Sequence, residues 1–220
     1  MLQHLKTLIK PFSFLGAISA TLALLAFVAT AKAQKPDETQ TAIFAGGCFW
    51  CVESDFDKVP GVLKTISGYT GGHTQNPTYK EVTYKNTGHY EAVEITFDPK
   101  KVSYKQLVHI FWRTVDPTDK GGQFCDRGAS YRTAIFVNNA EQEAIAKASK
   151  QQEQTSGPLK GKIVTPILKA KTFYPAEHYH QNYYQLNKVR YTYYRFSCGR
   201  DKRIKALWAD QAFQGLKKKK

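Results

Sequence analysis

Two cysteines stand three residues apart in the segment AGGCFWCVES, which covers residues 45–54. This spacing is typical of a reactive thiol pair, but it also suits a structural disulfide or one half of a metal site. Phe49 and Trp50, between Cys48 and Cys51, allow a fourth interpretation, in which one cysteine is a nucleophile inside an aromatic pocket. These four kinds of site use the same residue types, so the rest of the chain must distinguish them.

The residues around this segment predict how it is held. Residues 41–45 read as a short strand, which Gly46 and Gly47 interrupt, and a helix is predicted from Cys48 to near Gly61. Cys48 would then lie at a helix N-terminus. There the helix dipole and the free backbone N–H groups favour a thiolate, so we expect the pKa of Cys48 to be lowered.

A buried carboxylate is predicted on the clearest strand of the chain. In YEAVEITF, residues 90–97, apolar and polar residues alternate, and Glu91 falls on the apolar face with Val93, Ile95 and Phe97. A carboxylate in that position is paired, neutral or functional.

The remaining pattern predicts an α+β fold. Further strands are expected at residues 62–69, 131–137 and 163–168, the last at an edge or a bend because it contains Pro166. Helices are expected at residues 103–115, 139–154 and 177–186, whereas residues 187–199 look irregular. We therefore predict a two-layer sandwich with a mixed, mostly antiparallel sheet of the ferredoxin-like or split βαβ type, and a long irregular C-terminal segment.

The N-terminus carries the pattern of an export signal. Lys6 and Lys10 precede an apolar stretch over residues 12–29, and Ala31-Lys32-Ala33 is a small-x-small cleavage pattern. We predict a signal peptide over residues 1–33, with an uncleaved anchor as the alternative, and a single catalytic domain over residues 34–220. The protein would be exported, either periplasmic or anchored in the membrane and facing the periplasm.

The net charge of +14 favours anionic partners. Part of it is the lysine run at residues 217–220, which is typical of a solvated tail. No zinc finger, arginine-rich helix or RNA-binding motif accompanies the charge, so nucleic-acid binding is not expected. Anionic membrane surfaces or acidic proteins fit it better.

Several ordered motifs resemble one enzyme family. GCFWCVE, SGYTGG, NPTY, GHYEAVEITFDP, DRGASYRTAIF and AEHYHQNYY together are similar to the A-type peptide methionine sulfoxide reductases, over nearly the whole chain after residue 33. These enzymes act on one of the two sulfoxide epimers, here methionine S-sulfoxide. The resemblance implies an oxidoreductase that repairs oxidatively damaged proteins through a redox-active cysteine and needs no metal and no organic cofactor.

The resemblance also implies roles for individual residues. Cys48 matches the nucleophile that takes the sulfoxide oxygen and becomes a sulfenic acid, and Glu91 matches the acid that protonates this oxygen. The substrate-binding residues would be Phe49 and Trp50, which hold the S-methyl group, the hydrogen-bond donors Tyr79 and Tyr131, and the carboxylate Asp126.

Cys198 corresponds to the resolving cysteine, which converts the sulfenic acid into a Cys48–Cys198 disulfide. Thioredoxin or a thioredoxin-like domain would then reduce this disulfide in a monomeric enzyme. Cys51 and Cys125 depart from the commoner family pattern, and either could resolve Cys48 instead. Cys198 is favoured because Cys51 lies one helical turn from Cys48 and is geometrically constrained.

Other functions explain less of the sequence. Four cysteines in an exported chain would ordinarily form two structural disulfides, and Cys48-x-x-Cys51 could belong to a periplasmic thiol–disulfide oxidoreductase, with Thr165-Pro166 facing the pair. The oxidoreductase leaves the NPTY, GHYEAV and DRGASY motifs unexplained. A zinc site is weaker still, because the chain has a single C-x-x-C motif.

Overall fold

Strand β3 (Tyr90–Phe97) has strands on both sides in a six-stranded sheet. β1 (Gln40–Gly46) and β2 (Val62–Thr70) pair with its two edges, both antiparallel. The structure is a computed structural model that describes residues 39–217. Val93, Ile95 and Phe97 are buried on one face of β3, as predicted, but Tyr90 and Ala92 are buried on the other face as well.

The other strands complete a mixed sheet. Its order is β7-β6-β1-β3-β2-β8, where β6 is Thr133–Val137, β7 is Ile167–Lys169 and β8 is Tyr174–Pro175. Only the β6–β7 pair is parallel, and β7 forms an edge, as its preceding proline predicts. Outside this sheet, β4 (Gly122–Gln123) and β5 (Asp126–Arg127) form a short antiparallel pair.

The first four helices alternate with the strands along the chain, and the last three come after the final strand. The helices are α1 (Phe49–Phe56), α2 (Tyr79–Tyr84), α3 (Tyr104–Trp112), α4 (Ala140–Ser156), α5 (Tyr183–Leu186), α6 (Lys188–Ser197) and α7 (Arg200–Trp208), with 3₁₀ helices at Ala129–Tyr131, His178–His180 and Ala209–Gln211. Ser103 and Asn139 cap α3 and α4 as predicted, because each side chain accepts a backbone N–H three residues on.

The core lies between the sheet and the helices α1, α3 and α4. Phe44 of β1 stacks on Phe56 of α1 and Phe111 of α3, with ring centroids 5.3 and 5.0 Å apart. Burying such rings is the main stabilising contribution at this layer boundary. The mixed, mostly antiparallel sheet with helices is the α+β arrangement that the sequence predicts.

Some predictions about local structure are wrong or only partly right. The helix expected at residues 177–186 is the 3₁₀ helix His178–His180 followed by α5, and the strand expected at residues 163–168 is only Ile167–Lys169. Residues 187–199 are mostly the helix α6 rather than irregular, because packing of Tyr191 against the domain overrides a weak helical pattern. The structure also contains a short helix that the sequence did not predict, α2, which begins with a capping box between Thr78 and Glu81.

The predicted signal peptide, residues 1–33, lies outside the described residues. Within residues 39–217, no helix is both long and apolar enough to span a bilayer.

Candidate active site

The turn between β1 and α1 positions Cys48. Gly47 has a φ of +81°, and a Cβ at this residue would lie 2.5 Å from the Cβ of Gln123, so only glycine fits. Cys48 follows as the N-cap residue of α1, and it is 5% exposed. The predicted location of this cysteine at a helix N-terminus is therefore correct.

Glu91 lies beside the same turn. Its Oε2 accepts the backbone N–H of Phe49 at 3.0 Å, and the residue is 2% exposed. Burial raises the pKa of Glu91 to about 8, against the opposing effect of the Phe49 N–H. Glu91 is therefore protonated at neutral pH, next to a thiol.

Aromatic rings line the site on the side of α1. Phe49 lies 6.4 Å from Tyr79 and 5.0 Å from His180 between ring centroids, and Trp50 stacks on Tyr183 at 3.8 Å. Phe49 and Trp50 are therefore both parts of an aromatic wall. Such a wall suits an S-methyl group, because thioether sulfur and its methyl make favourable contacts with aromatic rings.

Two phenols lie close to Glu91. The hydroxyl of Tyr131 interacts with the carboxyl of Glu91 and with the hydroxyl of Tyr79. Burial raises the pKa of both tyrosines, so both remain protonated. One acidic carboxyl and two phenols thus provide three hydrogen-bond donors in one place.

Asp126 joins this site to the C-terminal helices. Its Oδ2 accepts a hydrogen bond from the hydroxyl of Tyr194 on α6 and lies 3.9 Å from the Sγ of Cys198. Its charge contributes to the raised pKa of Glu91. Burial also raises the pKa of Asp126 itself.

The four cysteines divide into two pairs. Cys125 and Cys198 form a disulfide, although 73 residues separate them in sequence. Cys48 and Cys51 are free thiols and form a hydrogen bond with each other. The structure therefore places Cys51, rather than Cys198, against the predicted nucleophile.

The expectation that the pKa of Cys48 is lowered is wrong for this state of the site. Burial raises it well above its ordinary value, and contact with Cys51 raises it further. Burial opposes ionisation of Cys51 too, but the hydrogen bond from Cys48 and the cations Arg200 and Arg195 lower the pKa of Cys51 to about 7. When this pair loses its first proton near neutral pH, the negative charge of the thiolate is therefore mainly on Cys51.

One group among the described residues brings three metal-ligand atoms together, namely Cys125, Asp126 and Cys198. Both sulfurs of this group are joined in the disulfide, so neither is a thiolate ligand in this structure.

Two residues of the AEHYHQNYY motif, His180 and Glu177, have contacts that the sequence did not predict. His180 is buried, and its Nδ1 accepts the indole N–H of Trp50 at 3.1 Å. Glu177 accepts the backbone N–H of Tyr79 and the hydroxyl of Tyr69, each at 2.8 Å. Both residues therefore hold aromatic side chains of the site in place. In the sequence, only their membership of the AEHYHQNYY motif indicated such a role.

Arg200 was also missed. Its buried guanidinium donates to the carbonyl of Gly46 at 3.0 Å and to that of Thr114 at 2.8 Å. A lone arginine after a cysteine carries no sequence signal for such contacts, because its partners come from distant segments.

Known proteins are similar to this chain in sequence and in fold. The family model described as peptide methionine sulfoxide reductase matches residues 40–212. The reductase MsrA 2 of Caulobacter vibrioides is 54% identical over 191 residues, which are 86% of this chain and 95% of that protein. MsrA of Bacillus subtilis is 54% identical over 172 residues, or 78% of this chain and 97% of its own.

Solved structures of methionine sulfoxide reductases also resemble this chain in fold. Methionine sulfoxide reductase A of Corynebacterium diphtheriae superposes with a TM-score of 0.62 at 33% identity, covering 71% of this chain and 78% of that one. Mxr1 of Saccharomyces cerevisiae in reduced form gives a TM-score of 0.61 at 29% identity, with coverage of 70% and 88%.

The chain belongs to the peptide methionine sulfoxide reductase family. This finding confirms the family, the α+β fold class and the enzyme class that the motifs indicated, and it favours them over a thiol–disulfide oxidoreductase.

Proposed function

We propose that this protein reduces methionine S-sulfoxide, free or within oxidised proteins, to methionine, with Cys48 as the nucleophile. The contact between the Phe49 N–H and Glu91 carries this proposal, because it fixes a protonated carboxyl beside the Cys48 thiol. The function deepens the family assignment by naming the reacting groups.

The first step transfers the sulfoxide oxygen to the enzyme. Glu91, Tyr79 and Tyr131 donate hydrogen bonds to this oxygen while the S-methyl group lies against Phe49 and Trp50. The sulfur of Cys48 attacks the sulfoxide sulfur, and its proton passes to the Cys51 thiolate. The oxygen receives a proton from Glu91 and migrates to Cys48, which leaves methionine and a Cys48 sulfenic acid.

The second step condenses this sulfenic acid with a thiol to give a disulfide and water. Two cysteines could supply that thiol. Cys198 is the one that the sequence favours, whereas Cys51 already forms a hydrogen bond with Cys48. A dithiol reductant such as thioredoxin then restores the enzyme, so both electrons come from thiols.

Single-turnover reduction of separated epimers tests the proposal. The reduced wild type, mixed with a peptide containing S-sulfoxide, should yield about one methionine per enzyme molecule without added reductant, whereas the R epimer should remain. Cys48→Ser should yield none. Equal reduction of both epimers, or a full yield from Cys48→Ser, would count against this assignment.

We further propose that the protein is exported and acts as a monomer in the periplasm, with residues 1–33 as the signal peptide. The basic, apolar and small-x-small order of these residues supports export. Mass spectrometry of the protein from fractionated cells should find a periplasmic chain that begins at Gln34. Recovery of the intact chain in the cytoplasm would contradict export.

A further inference from the structure

We propose that the solvent-facing side of α6 binds the surface of a membrane that contains anionic phospholipids. This inference goes beyond the proposed reaction, because none of the side chains that carry it belongs to the active site. An enzyme held there meets methionine sulfoxide in proteins at the bilayer surface.

Helix α6 is apolar on the side that faces solvent. Val189, Tyr193 and Phe196 are 86%, 73% and 84% exposed. Their spacing of four and three residues places them on one face of the helix, and the buried Tyr191 lies on the opposite face. A surface helix of a globular domain ordinarily has the reverse arrangement, with its apolar side against the core and its polar side in water. The apolar stripe formed by these three exposed residues therefore indicates a binding surface.

Basic side chains flank the apolar stripe. Lys188 and Arg190 are exposed, and they lie about 100° around the helix to either side of the first stripe residue. Lys202 and Lys205 are exposed on the next helix, α7. None of these four cations forms an ion pair with a carboxylate of residues 39–217. Their charges are therefore available to an anionic surface.

A depression beside the stripe concentrates the positive charge. It has a volume of about 1380 Å³, and besides Phe196 it is lined by four lysines of the C-terminal part of the chain, Lys188, Lys202, Lys205 and Lys217. Residues 182–217 contain eight basic side chains and two acidic ones. An anionic headgroup in this depression is therefore surrounded by ammonium groups.

The size of the stripe favours a bilayer over a protein partner. Its three side chains are few against the roughly 20–30 residues that each partner contributes to a specific protein interface. A bilayer needs no complementary shape. It accepts the apolar face of a helix to a depth of about 5–10 Å while basic side chains stay at the headgroups, and tyrosine and other aromatic side chains are favoured at that depth.

Co-sedimentation with vesicles tests the proposal. The chain that begins at Gln34 is the form to use, because it contains every helix and strand of the described fold and lacks the apolar residues 12–29, which could bind lipid themselves. At low salt it should bind equimolar phosphatidylglycerol–phosphatidylcholine vesicles at least about tenfold more tightly than vesicles of phosphatidylcholine alone. Failure to bind the vesicles that contain phosphatidylglycerol would overturn the proposal.

Serine substitutions test the apolar stripe. Val189→Ser/Tyr193→Ser should weaken binding at least about tenfold, because two apolar side chains no longer enter the bilayer. The matched control is Leu63→Ser/Tyr84→Ser, whose side chains are 55% and 78% exposed on β2 and α2 and which should bind like the wild type. Equal losses in the two double variants would refute a specific face.

Single-turnover reduction of the S-sulfoxide peptide separates this proposal from the proposed function. Both double variants should release as much methionine as the wild type, which shows that each is folded. A wild type that binds anionic vesicles but releases no methionine would count against the proposed reaction and leave membrane binding supported.

Neutral substitutions test the preference for anionic lipid. Lys188→Gln/Arg190→Gln should weaken binding to the phosphatidylglycerol vesicles about fivefold and leave binding to phosphatidylcholine unchanged. Lys64→Gln/Lys105→Gln removes the same charge from exposed positions on β2 and α3 and should have a smaller effect. Equal effects would show that the net charge of the chain, and not α6, sets the affinity, which would overturn this location.

Sedimentation equilibrium tests a second copy of the chain as the other occupant of the stripe. Without lipid, the wild type should be monomeric, with its stripe free for the membrane. A dimer that Val189→Ser/Tyr193→Ser converts into a monomer would make the stripe an interface between copies and would overturn membrane binding.

Discussion

The two sides of the active site are built differently. Glu91 lies on β3, which pairs with a strand on each side, and Cys48 and Phe49 begin α1, where the Phe49 N–H donates to Glu91. The opposite side consists of His180, Tyr183 and Tyr194, which come from helices in the C-terminal part of the chain and are held by side-chain contacts. Reacting groups thus lie on rigid elements, whereas the groups that cover them lie where small movements cost less. Substitutions on the first side should affect chemistry most.

The largest effect is expected for Glu91→Gln, because the amide keeps the contact with the Phe49 N–H but cannot donate an acidic proton. We expect kcat to fall about 10²–10⁴-fold. In the wild type, activity should rise with pH as the cysteine pair ionises near 7 and fall as Glu91 loses its proton near 8. A pH–rate profile should show that Glu91→Gln lacks the alkaline decline, and an unchanged decline would contradict this role.

Tyr131→Phe should have the next largest effect. It removes one of the three donors while keeping the ring, so kcat/KM should fall about 10²-fold. Tyr90→Phe, at the start of β3, is a matched control whose hydroxyl plays no part in the proposed site. Equal losses in the two variants would show that the hydroxyl of Tyr131 is not specific to the reaction.

On the side of the site formed by His180, Tyr183 and Tyr194, the substitution His180→Leu should raise KM more than it lowers kcat. It removes the acceptor for Trp50, a loss of about 1 kcal/mol, or roughly fivefold in KM. His180→Asn keeps an acceptor near the position of Nδ1 and should restore most of the affinity. The indole N–H resonance of Trp50 in ¹⁵N NMR should shift in the leucine variant and less in the asparagine variant. An identical KM in both variants would exclude this positioning role.

The smallest effect is expected in stability. Glu53 is buried and accepts the backbone N–H of Asn182 at 3.0 Å, and burial raises its pKa to about 7. The native state therefore holds this proton more tightly than the unfolded state, and the ionised carboxyl costs stability as pH rises from about 4.5 to 7. Glu53→Gln should raise the free energy of unfolding by about 1 kcal/mol at pH 8 and hardly at pH 4.5. Urea titrations at both pH values measure this, and an equal effect at both would contradict it.

The sequence predicts the strands and the capped helices better than it predicts the helices near the C-terminus. β3 and Glu91 are predictable because the alternating pattern of residues 90–97 marks a strand, and the caps Ser103 and Asn139 mark their helices. The helix α6 is not predictable from the sequence, because its tyrosines are weak helix formers and, within this helix, only Tyr191 is buried.

Pairing of the cysteines could not be read from spacing. Cys125 and Cys198 meet only because β5 and the end of α6 are packed together. The pKa of Cys48 also depends on tertiary structure. The N-terminus of α1 favours a thiolate, but burial and the neighbouring Cys51 outweigh it.

Arg200 ties the last long helix to the start of the catalytic turn, through the carbonyls of Gly46 and Thr114. Loss of the segment after Cys198 would thus leave three interior carbonyls without these side-chain donors, since the indole of Trp208 donates to the carbonyl of Val115, although the six-stranded sheet would lose none of its own pairing. Trimming at this end would also remove Ile204 and Trp208 from the core, so it would destabilise the domain as well as the site.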